Sequence, residues 1–217
     1  MARAWPPIPP DWRGETVFVI GGGPSFGAFD PQRLRGRRVI VVNHSWTAVP
    51  FADVLYFGDD RYWRRFRKEL LDGFAGRITT TCSSAHDGRV CKLRNSMARR
   101  GHGKPRPPLL LSEDPSSVPM RRTSLVPAMN IAAHLTGFGG RIVLMGADGR
   151  AAGKQSHHHR AHPWPVRFGC WDVQKRDLAE FAPQLKAKGV EVLNASPGSA
   201  WADIWPVISH EDAMAIC

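Results

Sequence analysis

The sequence predicts an α/β protein with a doubly wound, mostly parallel sheet, arranged as one domain over residues 1–217. Short, continuous apolar runs rich in β-branched residues recur along the chain, which is typical of strands buried on both faces. Helical patterns alternate with these runs, and 217 residues fit one such unit better than two. Several runs end in a polar residue, at the position where open α/β sheets form their ligand crevice.

The first half of the chain supplies three strands and a helix. Thr16–Ile20 is an apolar run that stops at Gly21–Gly23. Arg37–Asn43 and Val54–Asp60 repeat the pattern, and each ends in a polar residue. The apolar positions of Arg61–Leu71 recur at helical spacing, with arginine and lysine on the opposite face, so an amphipathic helix follows the third strand.

The second half supplies two helices and two strands. Thr123–Leu135 has the apolar positions of a buried helix, and Arg141–Asp148 is a strand that ends in glycine and aspartate. Asp172–Lys188 is predicted to be an amphipathic helix, which Pro183 is expected to kink. Val190–Asn194 is the last strand. Strand and helix thus alternate in the order that builds a parallel sheet with helices on both faces.

Two segments break this pattern. Residues 83–118, rich in glycine, proline, serine and basic residues, are predicted to be a long loop or a small insertion. Their positive charge favours a nucleic-acid surface, with an affinity that falls steeply with salt. Its basic residues include Arg94, Arg99, Arg100, Lys104 and Arg106. Residues 149–170 form a second loop, which holds a cluster of four of the nine histidines.

Composition narrows the class of protein. Thirty lysines and arginines against nineteen aspartates and glutamates give a net charge of +11, which indicates an anionic partner unless the basic surface only reflects the codon usage of its genome. The four cysteines lack C-x-x-C spacing, so neither a disulfide framework nor a cysteine zinc site is expected. No apolar run is long enough for a bilayer, and the first twelve residues have prolines where a signal peptide needs an apolar stretch. We therefore expect a cytoplasmic protein without a membrane partner, in the host cytoplasm if a phage encodes it.

The glycine turn after the first strand is a candidate phosphate site. Glycines at a strand-to-helix turn let the backbone approach a ligand closely, and exposed amides there hold negative charge. The turn has neither the G-x-G-x-x-G spacing of dinucleotide sites nor the Gly-Lys-Ser/Thr ending of a P-loop. The alternative is a tight turn that needs glycine for its dihedral angles alone. The candidate residues are Gly21, Gly22, Gly23, Pro24 and Ser25.

The histidine-rich loop offers a general base. Imidazole titrates near neutral pH, so His157, His159 or His162 can accept a proton from an attacking hydroxyl. A metal site is the alternative, but adjacent side chains rarely reach one ion, and a carboxylate such as Asp148 or Asp172 would have to complete the set. We therefore expect no obligatory metal and assign no metal ligands. A solvated surface loop is the remaining interpretation.

Cations and aromatic residues complete the candidate chemistry. In a metal-free site a fixed cation can neutralise a leaving phosphate. The candidates are Arg121, Arg122, Arg150 and Lys154. Most tryptophans, including Trp171 and Trp201, are interpreted as core or hinge anchors, whereas Trp164 beside the histidines is placed to stack on a sugar or a base.

A succession of short motifs resembles a known family. In order these are Val19–Phe26, a strand ending in Asn43, Tyr56–Asp59, Arg121–Ser124 and Gly146–Asp148. In order and approximate spacing they resemble the bacterial sialyltransferase-like Rossmann proteins and their phage and prophage relatives. The match covers most of the chain outside the basic insertion. Each motif is short, so only their succession is specific.

The resemblance implies roles for individual residues. Gly22, Gly23 and Asn43 would contact the nucleotide of a CMP-sugar, while Ser25, Asp59 and Ser124 would line the same crevice. Arg121, Thr123 and Ser124 take the places of an Arg-x-Thr-Ser stretch in the donor pocket, and a histidine of the later loop would be the base. The family's phosphate-holding tyrosines are missing, because Gly149 and Arg150 follow Asp148. The resemblance therefore does not extend to sialic acid itself.

These observations predict a glycosyltransferase that moves a sugar from a CMP- or UDP-linked nucleotide-sugar to a hydroxyl acceptor. One candidate acceptor is a hydroxymethylated base in phage DNA. The alternatives are a metal-assisted phosphoryl or pyrophosphoryl transferase or nucleotide hydrolase, and a non-catalytic phage protein that binds nucleic acid. The predicted catalytic residues are His162, His157, His159 and Arg121. The predicted donor-binding residues are Gly21, Gly22, Gly23, Pro24, Ser25, Asn43, Asp59, Thr123, Ser124 and Asp148.

Overall fold

Seven parallel strands form the central sheet of the protein, for which a computed structural model describes residues 12–97, 109–159, 164, 166, 167 and 169–216. The strands are β1 (Thr16–Ile20), β2 (Arg38–Val42), β3 (Val54–Phe57), β4 (Arg77–Thr80), β5 (Val90–Lys92), β8 (Arg141–Met145) and β9 (Glu191–Asn194). Their order is β5-β4-β3-β2-β1-β8-β9, and every pair is parallel. The predicted α/β fold with a mostly parallel sheet is confirmed.

Helices cover both faces of this sheet. They are α1 (Asp60–Gly73), α2 (Leu125–Leu135), α3 (Cys170–Ala187) and α4 (His210–Ala215). Short 3-10 helices follow β1 at Pro24–Ala28 and β2 at Asn43–Thr47. Every residue of α2 is buried. The side-chain amide of Asn130 in this helix accepts the backbone amide of Ser112 and donates to its carbonyl, so this polar side chain is hydrogen-bonded in the interior.

Alternation along β1 divides the core into two layers. Val17 and Val19 pack with α2 and α3 on one face, and Phe18 and Ile20 pack with α1 on the other. All four side chains are completely buried, and burial of each contributes roughly 1.5–3 kcal/mol. A run without polar residues is therefore what a strand needs when both of its faces are covered.

The structure corrects several boundaries. β4 was not predicted, and the expected loop of residues 83–118 contains β5, which forms the sheet edge, and a small parallel pair, β6 (Arg94–Asn95) with β7 (Ser117–Val118). Most of the predicted basic residues of this segment lie outside the described residues. Helix α3 runs on through Pro183 to Ala187. The single domain over residues 1–217 stays a prediction.

The strand order creates a crevice. From β1 the chain moves to β2 on one side of the sheet, and it later returns to place β8 on the other side of β1. The loops that follow β1 and β8 therefore diverge and leave a gap between them. Ligands of open α/β sheets bind at such a reversal, outside the carboxyl ends of the strands.

Candidate active site at the strand-order reversal

A cleft of about 170 Å³ lies at this reversal. The carboxyl ends of β1, β2 and β8 form its floor, and the amino ends of α2 and α3 form its wall. It brings together nine of the fourteen residues that the sequence predicted for the site. These are Gly21, Gly22, Gly23, Asn43, Thr123, Ser124, Asp148, His157 and His159. Residues from five separate predicted segments thus share one small cavity.

Close packing of two backbones explains the first glycine of the turn. A Cβ atom on Gly21 would lie 2.5 Å from the carbonyl oxygen of Gly146, because the ends of β1 and β8 approach each other there. The amide of Gly21 donates to Met145 and that of Gly23 donates to Gly146. These two amides already have acceptors inside the protein and are not free for a phosphate, while the assignment of Gly21 and Gly23 to the donor site stays a prediction.

Asp148 occupies the place expected for an anionic ligand. Its Oδ1 accepts the backbone amide of Ser25 at 3.1 Å, and its Oδ2 accepts the hydroxyl of Ser25 at 2.9 Å. The carboxylate thus sits at the amino end of the 3-10 helix that begins at Pro24, where amides point outward. Burial raises the pKa of Asp148, and the bonds from Ser25 partly counter that rise. Within the turn, only the amide of Gly22 has no acceptor among the described residues.

The consecutive histidines point in alternating directions. His157 and His159 line the cleft, with ring centroids 5.0 Å apart. His158 turns away, packs its ring against Phe26 at 4.9 Å and places its Nε2 3.1 Å from the hydroxyl of Ser45. Its backbone amide donates to the carbonyl of Gly22 at 2.9 Å. His158 is therefore an anchor that holds the other two histidines over the glycine turn.

His157 has the properties of a base in this cleft. Burial lowers its pKa, so the ring is neutral at physiological pH and able to take a proton. The hydroxyl of Ser156 lies 2.9 Å from Nδ1, which fixes the ring and directs Nε2 away from that contact. His159 packs edge-on against His44 at 5.4 Å, and burial lowers the pKa of His44 as well.

Asn43 and Ser124 join the ends of β2 and α2 across the cleft. The Nδ2 of Asn43 donates to the hydroxyl of Ser124 at 3.2 Å. Asn43 has a φ of 50°, in the left-handed region that asparagine tolerates better than most residues. The hydroxyl of Thr123 accepts the amide of Leu125, the first residue of α2. The amide and the hydroxyls present hydrogen-bonding groups to a ligand in the cleft.

The structure corrects the choice of arginine. Arg121 is nearly buried and pairs with Glu180 at 2.8 Å and with the fully buried Asp177 at 3.6 Å. It therefore ties the loop before α2 to α3 and does not line the cleft. Arg122 and Arg150 do line it. Both are exposed, and neither has an ion-pair partner among the described residues. They are the cations available to an anionic ligand.

Two further predicted residues lie elsewhere. Asp59 caps α1 by accepting the amide of Arg61 and pairs with its guanidinium, which lowers the pKa of Asp59, and it does not line the cleft. Pro24 begins the 3-10 helix after the turn. His162 lies outside the described residues.

Sequence reasoning missed the wall on the α3 side. Trp171 and Gln174 from the first turns of α3, and Trp201 from the loop after β9, line the cleft opposite the glycines. The tryptophans were interpreted as core or hinge anchors, and Trp201 is indeed buried. Trp171 and Gln174 directly follow the histidine-rich loop, and Trp201 follows the last strand. These positions are the only sequence signal that could have assigned them to the cleft.

Two other candidate sites, a metal centre and a larger crevice, are less well supported than this cleft. Among the described residues, no three His, Cys, Asp or Glu side chains are grouped so that they could hold a metal ion. A larger crevice of about 560 Å³ lies at the amino ends of the strands, but its Arg38 pairs with Glu15 and its Arg141 with Glu191. Open α/β sheets bind ligands at the opposite edge.

Fold and site together define a doubly wound α/β protein with a polar, partly cationic crevice at its strand-order reversal. A solved structure with this fold is the monofunctional α-2,3-sialyltransferase Cst-I from Campylobacter jejuni, with a TM-score of 0.52 and 14% identity over 95% of this chain and 84% of that one. The α-2,3-sialyltransferase from the same organism in apo form has a TM-score of 0.45 and 11% identity, with the same coverage.

The likeness to Cst-I concerns the fold, so the sialyltransferase-like fold expected from the motif succession is confirmed. The resemblance to phage and prophage relatives stays a prediction. No protein-family model matches the chain, and no curated protein matches it. Within the described ranges, no helix is both long and apolar enough to cross a membrane.

Proposed function

We propose that the protein is a glycosyltransferase that moves a sugar from a CMP- or UDP-linked donor to a hydroxyl acceptor without an obligatory metal. One observation carries the proposal. His157, a neutral and positioned imidazole, shares a cleft with Arg122 and Arg150, two exposed arginines that have no ion-pair partner among the described residues. A base for the acceptor and cations for the leaving phosphate are the two groups this reaction needs.

The donor's charge is assigned to the arginines. The glycine turn already holds the Asp148 carboxylate, so a phosphate placed against it would meet a like charge. Arg122 and Arg150 offer planar guanidinium groups that bind phosphate oxygens in pairs. The carboxylate of Asp148 and the amide of Asn43 are suited to hydroxyl or base groups of the nucleotide.

The transfer step uses His157. The acceptor oxygen attacks the anomeric carbon of the donor, and the bond from that carbon to the phosphate oxygen breaks with its electron pair leaving on the phosphate. The proton of the acceptor hydroxyl passes to Nε2 of His157, because Nδ1 is engaged with Ser156. Arg122 and Arg150 stabilise the phosphate charge that develops.

The volume of the cleft sets a condition on binding. At about 170 Å³ it is smaller than the roughly 300–1,000 Å³ that small-molecule sites usually offer. A whole nucleotide-sugar is accommodated only if residues 156–159 shift away from Gly22 or if part of the donor lies outside the cleft. A backbone bond from His158 to Gly22 and a ring bond from His158 to Ser45 are among the contacts that hold this segment on the turn.

A thermal-shift screen against CMP, UDP, GDP, ADP and their sugars tests the donor, because a ligand that binds only the native form raises the melting temperature by mass action. A CMP or UDP compound is expected to give the shift, and Arg122→Ala is expected to reduce it. His157→Gln should keep the shift and lose sugar transfer by about 10²–10⁴-fold. The exposed His86→Gln is the matched control.

Two outcomes contradict the proposal. The first is a screen in which no nucleotide or nucleotide-sugar raises the melting temperature. The second is nucleotide hydrolysis that depends on an added divalent metal and stops with a chelator, which would favour a metal-assisted phosphoryl transferase or hydrolase.

A further inference from the structure

One face of α1 carries a dense positive charge. Arg61, Arg64, Arg65 and Lys68 follow one another at spacings of three and four residues, which places them along one side of the helix, and Arg67 flanks them. All five side chains are exposed. The opposite side of the helix is buried in the core, so α1 presents this basic face to solvent.

Three of these cations are not neutralised locally. Arg64, Arg65 and Arg67 have no ion-pair partner among the described residues, whereas the two other cations of the helix pair with Asp59 and Asp72. A solvated helix face usually intersperses both signs of charge. Three unpaired arginines within four residues instead create a local field that attracts an anionic partner.

A chain of ring contacts connects this face with the cleft. His159 in the cleft packs against His44 at 5.4 Å, and His44 packs against Phe66 of α1 at 4.7 Å. Phe66 meets the edge of Trp164 at 6.3 Å, and the guanidinium of Arg61 lies 5.1 Å from the centre of the Trp164 ring. A continuous path of ring contacts therefore links the cleft to the basic face, where an aromatic ring lies beside Arg61.

We propose that α1 is the docking surface for a nucleic-acid strand that carries the acceptor hydroxyl into the cleft. The acceptor role rests on the glycosyltransferase function proposed above, while the docking does not. From residue 61 to residue 68 the helix rises about 10 Å, which spans more than one phosphate of an extended strand. Trp164 supplies a ring beside Arg61 on which a base can stack.

The chemistry of the face favours nucleic acid over other polyanions. Four of its five cations are arginines, whose planar guanidinium groups match phosphate oxygens in a way that lysine does not. An indole beside an arginine row is the combination that single-strand binding sites use, because bases stack on it without regard to sequence. A lipid surface or a sulfated polysaccharide has no base to stack.

Binding of a fluorescein-labelled oligothymidylate, measured by anisotropy over a salt titration, tests the docking. The triple variant Arg64→Ala/Arg65→Ala/Arg67→Ala removes three phosphate contacts, so the slope of log K against log salt should fall by about 2. The affinity at moderate salt should fall at least about tenfold. The variant is expected to remain folded, since all three side chains are exposed.

The matched control removes the same charge elsewhere. Arg13→Ala/Arg176→Ala/Lys186→Ala changes three exposed cations on other parts of the surface. It should leave the slope and the affinity close to those of the wild-type protein. Equal losses in the two triple variants would overturn the proposal, because they would show a response to net charge alone.

Competing polyanions provide the second arm. Heparin and phosphatidylserine vesicles are titrated in the same buffer, and each is expected to bind more weakly than the oligonucleotide and without help from Trp164. Trp164→Leu should weaken only the oligonucleotide. Binding of vesicles or heparin through α1 in place of the oligonucleotide would overturn the assignment to nucleic acid.

A donor measurement separates this inference from the proposed function. The nucleotide that stabilises the wild-type protein should stabilise the α1 triple variant equally. If the nucleotide binds but the α1 triple variant binds the strand as tightly as wild type does, the docking surface is rejected and the glycosyltransferase proposal is not. Strand binding that depends on α1 without any nucleotide binding supports the docking and rejects the glycosyltransferase.

Discussion

The carboxylate of Asp148 accepts two hydrogen bonds from Ser25, one from the backbone amide at 3.1 Å and one from the hydroxyl at 2.9 Å. An internal anion thus occupies the amino end of the 3-10 helix after the glycine turn, where an external phosphate would otherwise bind. The glycine turn forms part of the floor of the cleft, and the positive charge for a ligand comes from Arg122 and Arg150, which also line it.

The first prediction concerns the titration of Asp148. Burial raises its pKa above the ordinary value of 3.8, so the folded state holds the proton more tightly than the unfolded state. The stability this provides is complete below the ordinary pKa and is lost as the pH rises through the raised pKa. Asp148→Asn removes the group. The free energy of unfolding of the variant minus that of wild type, measured with urea, should therefore increase with pH across this window and then level off.

A control with the opposite sign is available. The hydrogen bond from Lys175 lowers the pKa of the exposed Asp203, so its contribution is present above the ordinary pKa and lost in acid. For Asp203→Asn the same difference should decrease with pH. A flat difference for Asp148→Asn would show that Ser25 compensates the burial of the carboxylate completely.

The second prediction concerns the contact between Gly22 and His157. A Cβ atom on Gly22 would lie 2.7 Å from Cδ2 of His157, so the ring has to move. A displacement of about 1 Å in a catalytic group can cost about a hundredfold in rate. Gly22→Ala should therefore lower kcat/KM for sugar transfer strongly, while the urea midpoint changes little because the ring can yield.

Gly27→Ala is the matched control for this substitution. Its added Cβ would meet only the Cβ of His158 at 3.7 Å, an ordinary contact. It should keep both the rate and the midpoint. Gly22→Ala with the rate of wild type would mean that the position of His157 does not matter, and the base would have to be sought elsewhere.

Much of the fold could be predicted because most strands are buried on both faces. β1, β2, β3 and β8 are nearly uninterrupted apolar runs, which is typical of strands covered on both faces. β4 escaped detection because half of it is threonine. Thr79 and Thr80 are buried, but their hydroxyls donate to the carbonyls of Leu55 and Phe57 on the neighbouring strand, so polar side chains fit a core position.

The floor of the site could be predicted for a related reason. Parallel strands that end in Gly21–Gly23, Asn43 and Asp148 necessarily bring these residues to one edge of the sheet. The sequence could not show which of Arg121 and Arg122 points into the cleft, because the two are neighbours. Only the pairing of Arg121 with Asp177 turns its side chain away from the cleft. Tertiary contacts also decide which of the consecutive histidines faces the cleft.

The third prediction separates these two arginines. Arg121→Ala leaves the fully buried Asp177 without its cation and should cost about 3–5 kcal/mol in the free energy of unfolding. Arg122→Ala removes an exposed side chain and should change stability by less than about 0.5 kcal/mol. It should instead weaken nucleotide binding, measured by calorimetry. Equal stability of the two variants would contradict the structural role of Arg121.

The fourth prediction concerns His158, which holds residues 156–159 on the glycine turn. Burial lowers its pKa from 6.5 to about 4, so between these values the unfolded state binds a proton that the folded state excludes. The stability that depends on the neutral ring is complete above pH 6.5 and is lost as the pH falls toward 4. A full shift of this size corresponds to at most about 3 kcal/mol.

His158→Phe keeps a ring against Phe26 and removes the titration. The free energy of unfolding of the variant minus that of wild type should therefore rise as the pH falls from 6.5 to 4. Hydrogen exchange should report the same event locally, since protonation of His158 releases its amide from the carbonyl of Gly22 and lowers its protection factor in acid. If the protection of that amide is independent of pH in wild type, the segment is held by its other contacts, and opening of the cleft has to be driven by the donor.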